Sequence, residues 1–220
     1  MAKSAPKMKT ERVSTSTRRT RDTEATKAQI LNAAEEEFAR HGLSGTRTEA
    51  IAAKTGVTKA MIFYHFGNKE KLYRAGLKRP CSDVIQAFET LDLEQQTAEV
   101  ALSRLIRAAI EYCVAYPHRG KVLFHEANQN QGRYFQKEGG WQPAIDYISK
   151  LLERGVAEGS FRPLDPFITT AHIMGICSFY FDAHENLKYA APEKDLLSPD
   201  MVQAHIEGAI ALVIAGVKRH

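Results

Sequence analysis

Cysteine is scarce in this chain, and its few copies are not spaced as pairs. Cys81, Cys113 and Cys177 lie far apart, are odd in number and form no C-x-x-C motif. That argues against a disulfide framework or a structural zinc site and suits a reducing compartment. Long apolar runs are also missing. The two longest, around residues 173–181 and 209–217, are too short to span a bilayer. The segment before residue 22 carries charges but no apolar stretch, unlike a signal peptide. The expectation is a soluble, cytoplasmic protein with no membrane partner. No segment alternates with period two, and no repeat is visible. There is no glycine-rich phosphate loop, no G-x-S-x-G elbow and no nucleophile placed beside a base. His125-Glu126 opens like a metalloprotease motif, but Gln129 stands where the second histidine belongs. The chain is therefore not expected to be an enzyme, and no cofactor or bound metal is expected.

With 44% hydrophobic residues, the 220-residue chain can bury a sizeable core. Its net charge of +4 is modest but uneven. Lys3, Lys7, Lys9, Arg12, Arg18, Arg19 and Arg21 face only Glu11 before residue 22. Such a basic segment is either a solvated tail or an arm that touches phosphate locally. From Thr26 the apolar residues Ile30, Leu31, Ala34 and Phe38 recur at helix spacing, with Gly42 as a stop. Further helices are predicted over 48–55, from Lys59 after the N-cap Thr58, and from Lys69 through Leu77, where Pro80 can interrupt. Longer amphipathic helices follow over 98–116, 119–128, 142–158, 165–187 and 199–218. The glycine-containing stretch 129–140 reads as a loop or frayed helix. The fold class is all-α, with a three-helix head, a break near 75–80 and a larger helical body.

Residues 42–72 carry the strongest pattern. Ala52 is small enough for two helices to approach, Gly56 can take the positive φ of a tight turn, and Val57 and Ile62 can lock the second helix on the first. That is helix-turn-helix logic, shared in part by ordinary helical corners. The surface residues favour DNA. Thr46, Arg47 and Thr48 cluster at the start of the first motif helix, where hydroxyls, guanidinium and backbone N–H groups can grip phosphate. Thr58, Lys59, Ala60, Met61 and Tyr64 lie on the outward face of a short second helix, suited to end-on entry into a major groove. His65 and Lys69 lie beside it.

With Gly45-Thr46, Ile51-Ala52, Gly56-Val57-Thr58, His65-Phe66 and Lys69-Glu70-x-Leu72 at this spacing, residues 26–75 resemble the DNA-binding head of the tetracycline-repressor (TetR) family. The resemblance implies that Thr46 caps the second helix, that Arg47, Thr58, His65 and Lys69 meet phosphate, and that Lys59 to Tyr64 face bases. Two departures stand out. Phe63 replaces a frequent tyrosine, and Ala60-Met61 replaces a usual Gly-Thr pair, which changes the operator read. Met61 can touch a thymine methyl, and Lys59 can donate to guanine.

Residues 1–23, rich in Lys, Arg, Ser and Thr with no apolar period, read as a flexible basic arm before a helix-turn-helix domain (24–75), and the resemblance implies a ligand-binding and dimerisation domain over 76–220. It implies a homodimer on double-stranded operator DNA, responsive to an unidentified small-molecule effector. Ile173, Ile176, Phe179, Tyr180 and Phe181, with Ile206, Ile210, Leu212, Val213 and Ile214, make the last two long helices apolar on more than one face, as a dimer seam requires. Gly175, Gly208 and Gly216 allow close approach there. Phe124, His125, Trp141, Tyr147, His172, Phe179 and Tyr180 are candidate pocket residues or simply core aromatics. His125, His172 and His184 keep a metal effector open. Gly159-Ser-Phe-Arg-Pro-Leu-Asp-Pro166 resembles a turn common in the family's C-terminal domains. A repressor released by its ligand, an architectural DNA-binding protein without one and a helical enzyme are the competing functions, in that order.

Overall fold

The computed structural model describes residues 11–219, and among these residues there are eleven helices. The head comprises α1 (Glu11–Gly45), α2 (Thr48–Thr55), α3 (Lys59–Phe66) and the start of α4 (Lys69–Glu89). The body adds α5 (Ala98–Ala115), α6 (Pro117–Asn130), α7 (Arg133–Lys137), α8 (Gln142–Ala157), α9 (Pro166–Asp182), α10 (His184–Ala190) and α11 (Pro199–Val217). Residues 11–23, expected as part of a flexible arm, instead continue α1. The rest of that arm, residues 1–10, lies outside the described residues. Gly42 does break the helical path, with φ 65°, though a further helical turn follows it to Gly45.

Several ends form for reasons visible locally. The side chains of Thr58, Asn68, Thr97, Asp165 and Ser198 each accept a backbone N–H from the first turn of the helix they precede. Gly56 takes φ 69°, and its N–H bonds back to the carbonyl of Ala52, closing α2. Three segments depart from expectation. α4 runs through Pro80, because Tyr73, Leu77 and Phe88 are buried on both sides of it. The span expected as one helix over 165–187 is two, α9 and α10, separated at Ala183. Within 129–140, Gln131 and Gly132 take positive φ and α7 follows. Two adjacent left-handed residues end α6, and a distant carboxylate orders α7. Glu126 accepts from the backbone N–H groups of Tyr134 (2.7 Å) and Phe135 (3.2 Å).

Among the described residues there are two cores. Ile30, Ala34 and Phe38 of α1 pack with Ile51, Ile62, Phe66, Leu72, Tyr73 and Leu77 to hold α2 and α3 against α1. Val122 of α6 and Tyr134 of α7 are buried in the same cluster, so this core is completed from beyond residue 75. The second core joins α5, α8, α9 and α11 through Leu102, Leu105, Ile106, Leu152, Phe161, Ile173 and Val213. α11 is long and apolar enough to cross a membrane by length and composition, although each uninterrupted apolar run is short. It packs Ile206, Ala209, Val213 and Val217 into the body core instead.

Candidate nucleic-acid interface

The short turn Gly56–Thr58 sets α3 against α2. Ile51 of α2 and Ile62 and Phe66 of α3 point into the head core, which forces the other side of α3 outward. Lys59, Ala60, Met61 and Tyr64 are exposed there, with Tyr64 at 83% and edge-on to His65. The Thr58 hydroxyl oxygen accepts from Met61 N–H at 3.2 Å, so the N-terminus of α3 is capped while the rest of that residue stays exposed. Arg47, the residue before α2, is exposed and makes no side-chain cap.

Other expected contacts are engaged inside the protein. Thr46 is 2% exposed, and its hydroxyl donates to the carbonyls of Gly42 (2.8 Å) and Glu37 (3.0 Å). It therefore does not cap α2 and instead satisfies the carbonyl end of α1, where four acceptors lack helical partners. Thr48 is buried too, with its hydroxyl turned to Glu49 at 3.4 Å. Lys69 donates to the carbonyls of Thr46 (3.1 Å) and Ser44 (3.4 Å), tying α4 to the loop before α2. Glu49 and Lys54 were not anticipated. Lys54 bonds Glu37 (2.8 Å) and Glu36 (2.9 Å) and staples α2 to α1. The Lys59 ammonium sits 2.5 Å from the Glu49 carboxylate, whose pKa that contact lowers.

Comparison with known proteins places this arrangement. Residues 30–75 match the family model of bacterial regulatory proteins, tetR family, and residues 99–213 match the tetracyclin repressor-like C-terminal domain. The HTH-type transcriptional repressor NicS of Pseudomonas putida is 32% identical over 168 residues, which cover 74% of this chain and 78% of that protein. This chain belongs to the TetR family. The HTH-type transcriptional regulator RutR of Escherichia coli is likewise 32% identical over 155 residues, covering 70% and 73%. The ketosteroid transcriptional regulator KstR2 of Mycobacterium tuberculosis shares the fold, with a TM-score of 0.66 at 19% identity over 88% of this chain and 95% of that one. The chain is accordingly a DNA-binding transcriptional regulator of TetR type.

In this TetR-family chain a buried polar cluster joins head to body. Arg119, the third residue of α6, is 2% exposed. It donates to Glu35 of α1 (3.2 Å), to Asp83 of α4 (2.9 Å) and to the Tyr112 hydroxyl of α5, and its guanidinium lies 3.8 Å from the Tyr116 ring centre. Arg79 adds a second cation 3.4 Å from Glu35. Burial outweighs these cations and raises the Glu35 carboxyl above its usual range. The cluster spans four helices, three of them reaching the body, so the head cannot tilt without straining the buried Arg119–Glu35 pair and its half-buried partners Asp83 and Arg79.

The body residues expected to line one pocket are dispersed. His172, Phe179 and Tyr180 border a groove of about 930 Å³ between α9 and α11, with His205, Gly175 and Gly208. Phe124 and Trp141 are exposed, Trp141 edge-on to Phe135. His125 pairs with Gln129 on α6, and Tyr147 packs on Phe88 and donates to its carbonyl. Among the described residues His125, His172 and His184 are not gathered into a group that could hold a metal. The groove is faced by Leu212 at 65% exposure and by Gly175 and Gly208, whose Cβ positions would meet nothing.

Proposed function

We propose that this TetR-family regulator is a repressor that binds a palindromic operator as a homodimer and is released by a small molecule. The carrying observation is α3: a capped, eight-residue helix whose inner face is locked in the head core and whose outer face offers Lys59, Ala60, Met61 and Tyr64. Such a helix enters a major groove by its N-terminal end. Arg47 and Thr58, with His65 beside them, supply the phosphate contacts, while Thr46, Thr48 and Lys69 hold the motif in shape from within. The repressor-named relatives support the direction of regulation, and soluble function in the cytoplasm follows from the DNA target.

The α9–α11 groove supports a second copy better than a ligand, because its exposed apolar side chains and bare glycines lie along two helices that are buried on one side only. The effector would act on the remaining body by shifting the population of head orientations, so that two α3 helices no longer meet grooves about 34–36 Å apart. Arg119 is the link for that shift. The test is selection of duplexes from fragmented genomic DNA at about 0.15 M salt, the salt being stated because phosphate contacts dominate affinity. One enriched near-palindrome is the expected result. Diffuse binding that a modest salt increase abolishes would favour an architectural protein instead.

A further inference from the structure

The surface built around α3 is where phosphate and base edges would lie, yet it carries one carboxylate at its centre. Glu49 is the second residue of α2, side-chain exposed, and its Oε1 atom accepts from Lys59 Nζ at 2.5 Å. The Thr48 hydroxyl adds a long bond to its other oxygen, 3.4 Å, and the residue's own backbone N–H also donates to the carboxylate. A carboxylate accepts at about four lone-pair positions, so capacity remains for a further donor. Facing a duplex, it is repelled by every phosphate and gains only where a base donor meets it. In the major groove the donors are the amino groups of cytosine N4 and adenine N6.

We propose that Glu49 is a specificity-determining residue that reads one G·C base pair jointly with Lys59, an inference that rests on the DNA-binding reading above. The geometry matches the edge of that pair. Guanine O6 and cytosine N4 are hydrogen-bonded to each other and so lie about 2.9 Å apart. The Lys59 donor and Glu49 acceptor, 2.5 Å apart, present the complementary order. Guanine also places N7 beside O6, giving the three-donor ammonium two adjacent acceptors while Glu49 takes N4. An A·T pair places its donor between its two acceptors, so the ammonium reaches only one of them when the carboxylate takes N6. The same contact holds the Lys59 ammonium toward α2.

The test is selection from a randomised duplex library at about 0.15 M salt with the wild type, Glu49→Ala, Glu49→Gln and Lys59→Ala, each checked for an unchanged melting temperature. The wild type should enrich a half-site with a fixed G·C pair. Glu49→Ala should lose preference at that one position by about 10-fold or more, since a good base contact discriminates by roughly that factor, while binding random duplex more tightly. Lys59→Ala should relax the same position. Glu49→Gln removes the same charge but keeps an acceptor, and should retain part of the preference. If Glu49→Gln and Glu49→Ala behave alike, with every base preference unchanged, the carboxylate only lowers overall affinity and the inference fails. An A·T pair at the affected position overturns it as well. A wild type that enriches no sequence overturns the operator reading itself, and this inference with it.

Discussion

Arg119 is the largest fully buried side chain in the described residues, and its position makes it the costliest single charge to disturb. Arg119→Met leaves Glu35, itself 2% exposed, without its nearest cation, a change that costs about 3–5 kcal/mol when a buried pair is broken from one side. The pair Arg119→Met with Glu35→Gln should recover much of the loss, as urea midpoints would show. The pH dependence has a definite sign. The folded Glu35 carboxyl lies above its usual 4.5, so its contribution is complete below that pH and is lost as pH rises through the raised value. Removing Arg119 raises the carboxyl further. The deficit of Arg119→Met should therefore be smallest in acid and grow as pH passes the raised Glu35 value of the wild type, above 4.5. A deficit that is flat with pH would mean Glu35 does not sense Arg119. None of this was legible in the sequence: Glu35 sits in a run of three glutamates beside Ala34 and Phe38, and its partner is 84 residues away. Thr46 failed for a related reason. Its spacing is that of a cap, but only the folded chain shows that its hydroxyl faces the end of α1.

At the scale of elements, the turn after α8 is an example of motif and packing acting together. Phe161 is buried against Gly155 of α8, where an added Cβ would lie 2.1 Å from the ring. Its neighbour Arg162 donates to Val217 and Gly216 carbonyls, pinning the end of α11. Gly155→Ala improves helix propensity by about 1 kcal/mol, but overpacking a filled core costs typically about 1–3 kcal/mol. A lowered melting temperature is expected, restored in part by adding Phe161→Leu. An unchanged or higher value would show that the ring moves aside freely. Helix ends with local causes, at Thr58, Asn68, Asp165 and Ser198, were readable because the cap and the bond it accepts are three residues apart. α7 was not, because its first N–H groups are satisfied by Glu126 of the preceding helix. The continuity of α4 through Pro80 is likewise a matter of packing, which offsets the roughly 3 kcal/mol a helical proline costs.

For the whole molecule the surface to test is the α9–α11 face, the proposed dimer seam. Leu212→Glu places a charge on the large apolar side chain most exposed along it. Sedimentation should show a monomer whose head remains folded, and operator affinity should fall steeply because one half-site alone retains few contacts. A dimer that survives Leu212→Glu would move the seam elsewhere. His205 adds a pH signature. It stacks on Tyr180, 4.4 Å between ring centres, and burial lowers its pKa below the usual 6.5. A depressed imidazole contributes stability above that pH and loses it as pH falls through the lowered value. Thermal stability should therefore fall below about pH 6.5, and His205→Gln should flatten that limb.

Propensity, caps and periodicity act over a few residues, so the helical class, the turn at Gly56, most helix starts and the outward face of α3 were legible in the chain. The sequence also marked the two helices with apolar residues to spare. Tertiary structure alone decided that the head core borrows Val122 and Tyr134, that Thr46, Thr48 and Lys69 serve the motif from inside, and that Glu49 stands beside Lys59. It also separated the residues expected to share one pocket. Each of those depends on which distant side chains share a buried space or surface, and the energy of a buried charge or a bare glycine has no value until its neighbours are in place.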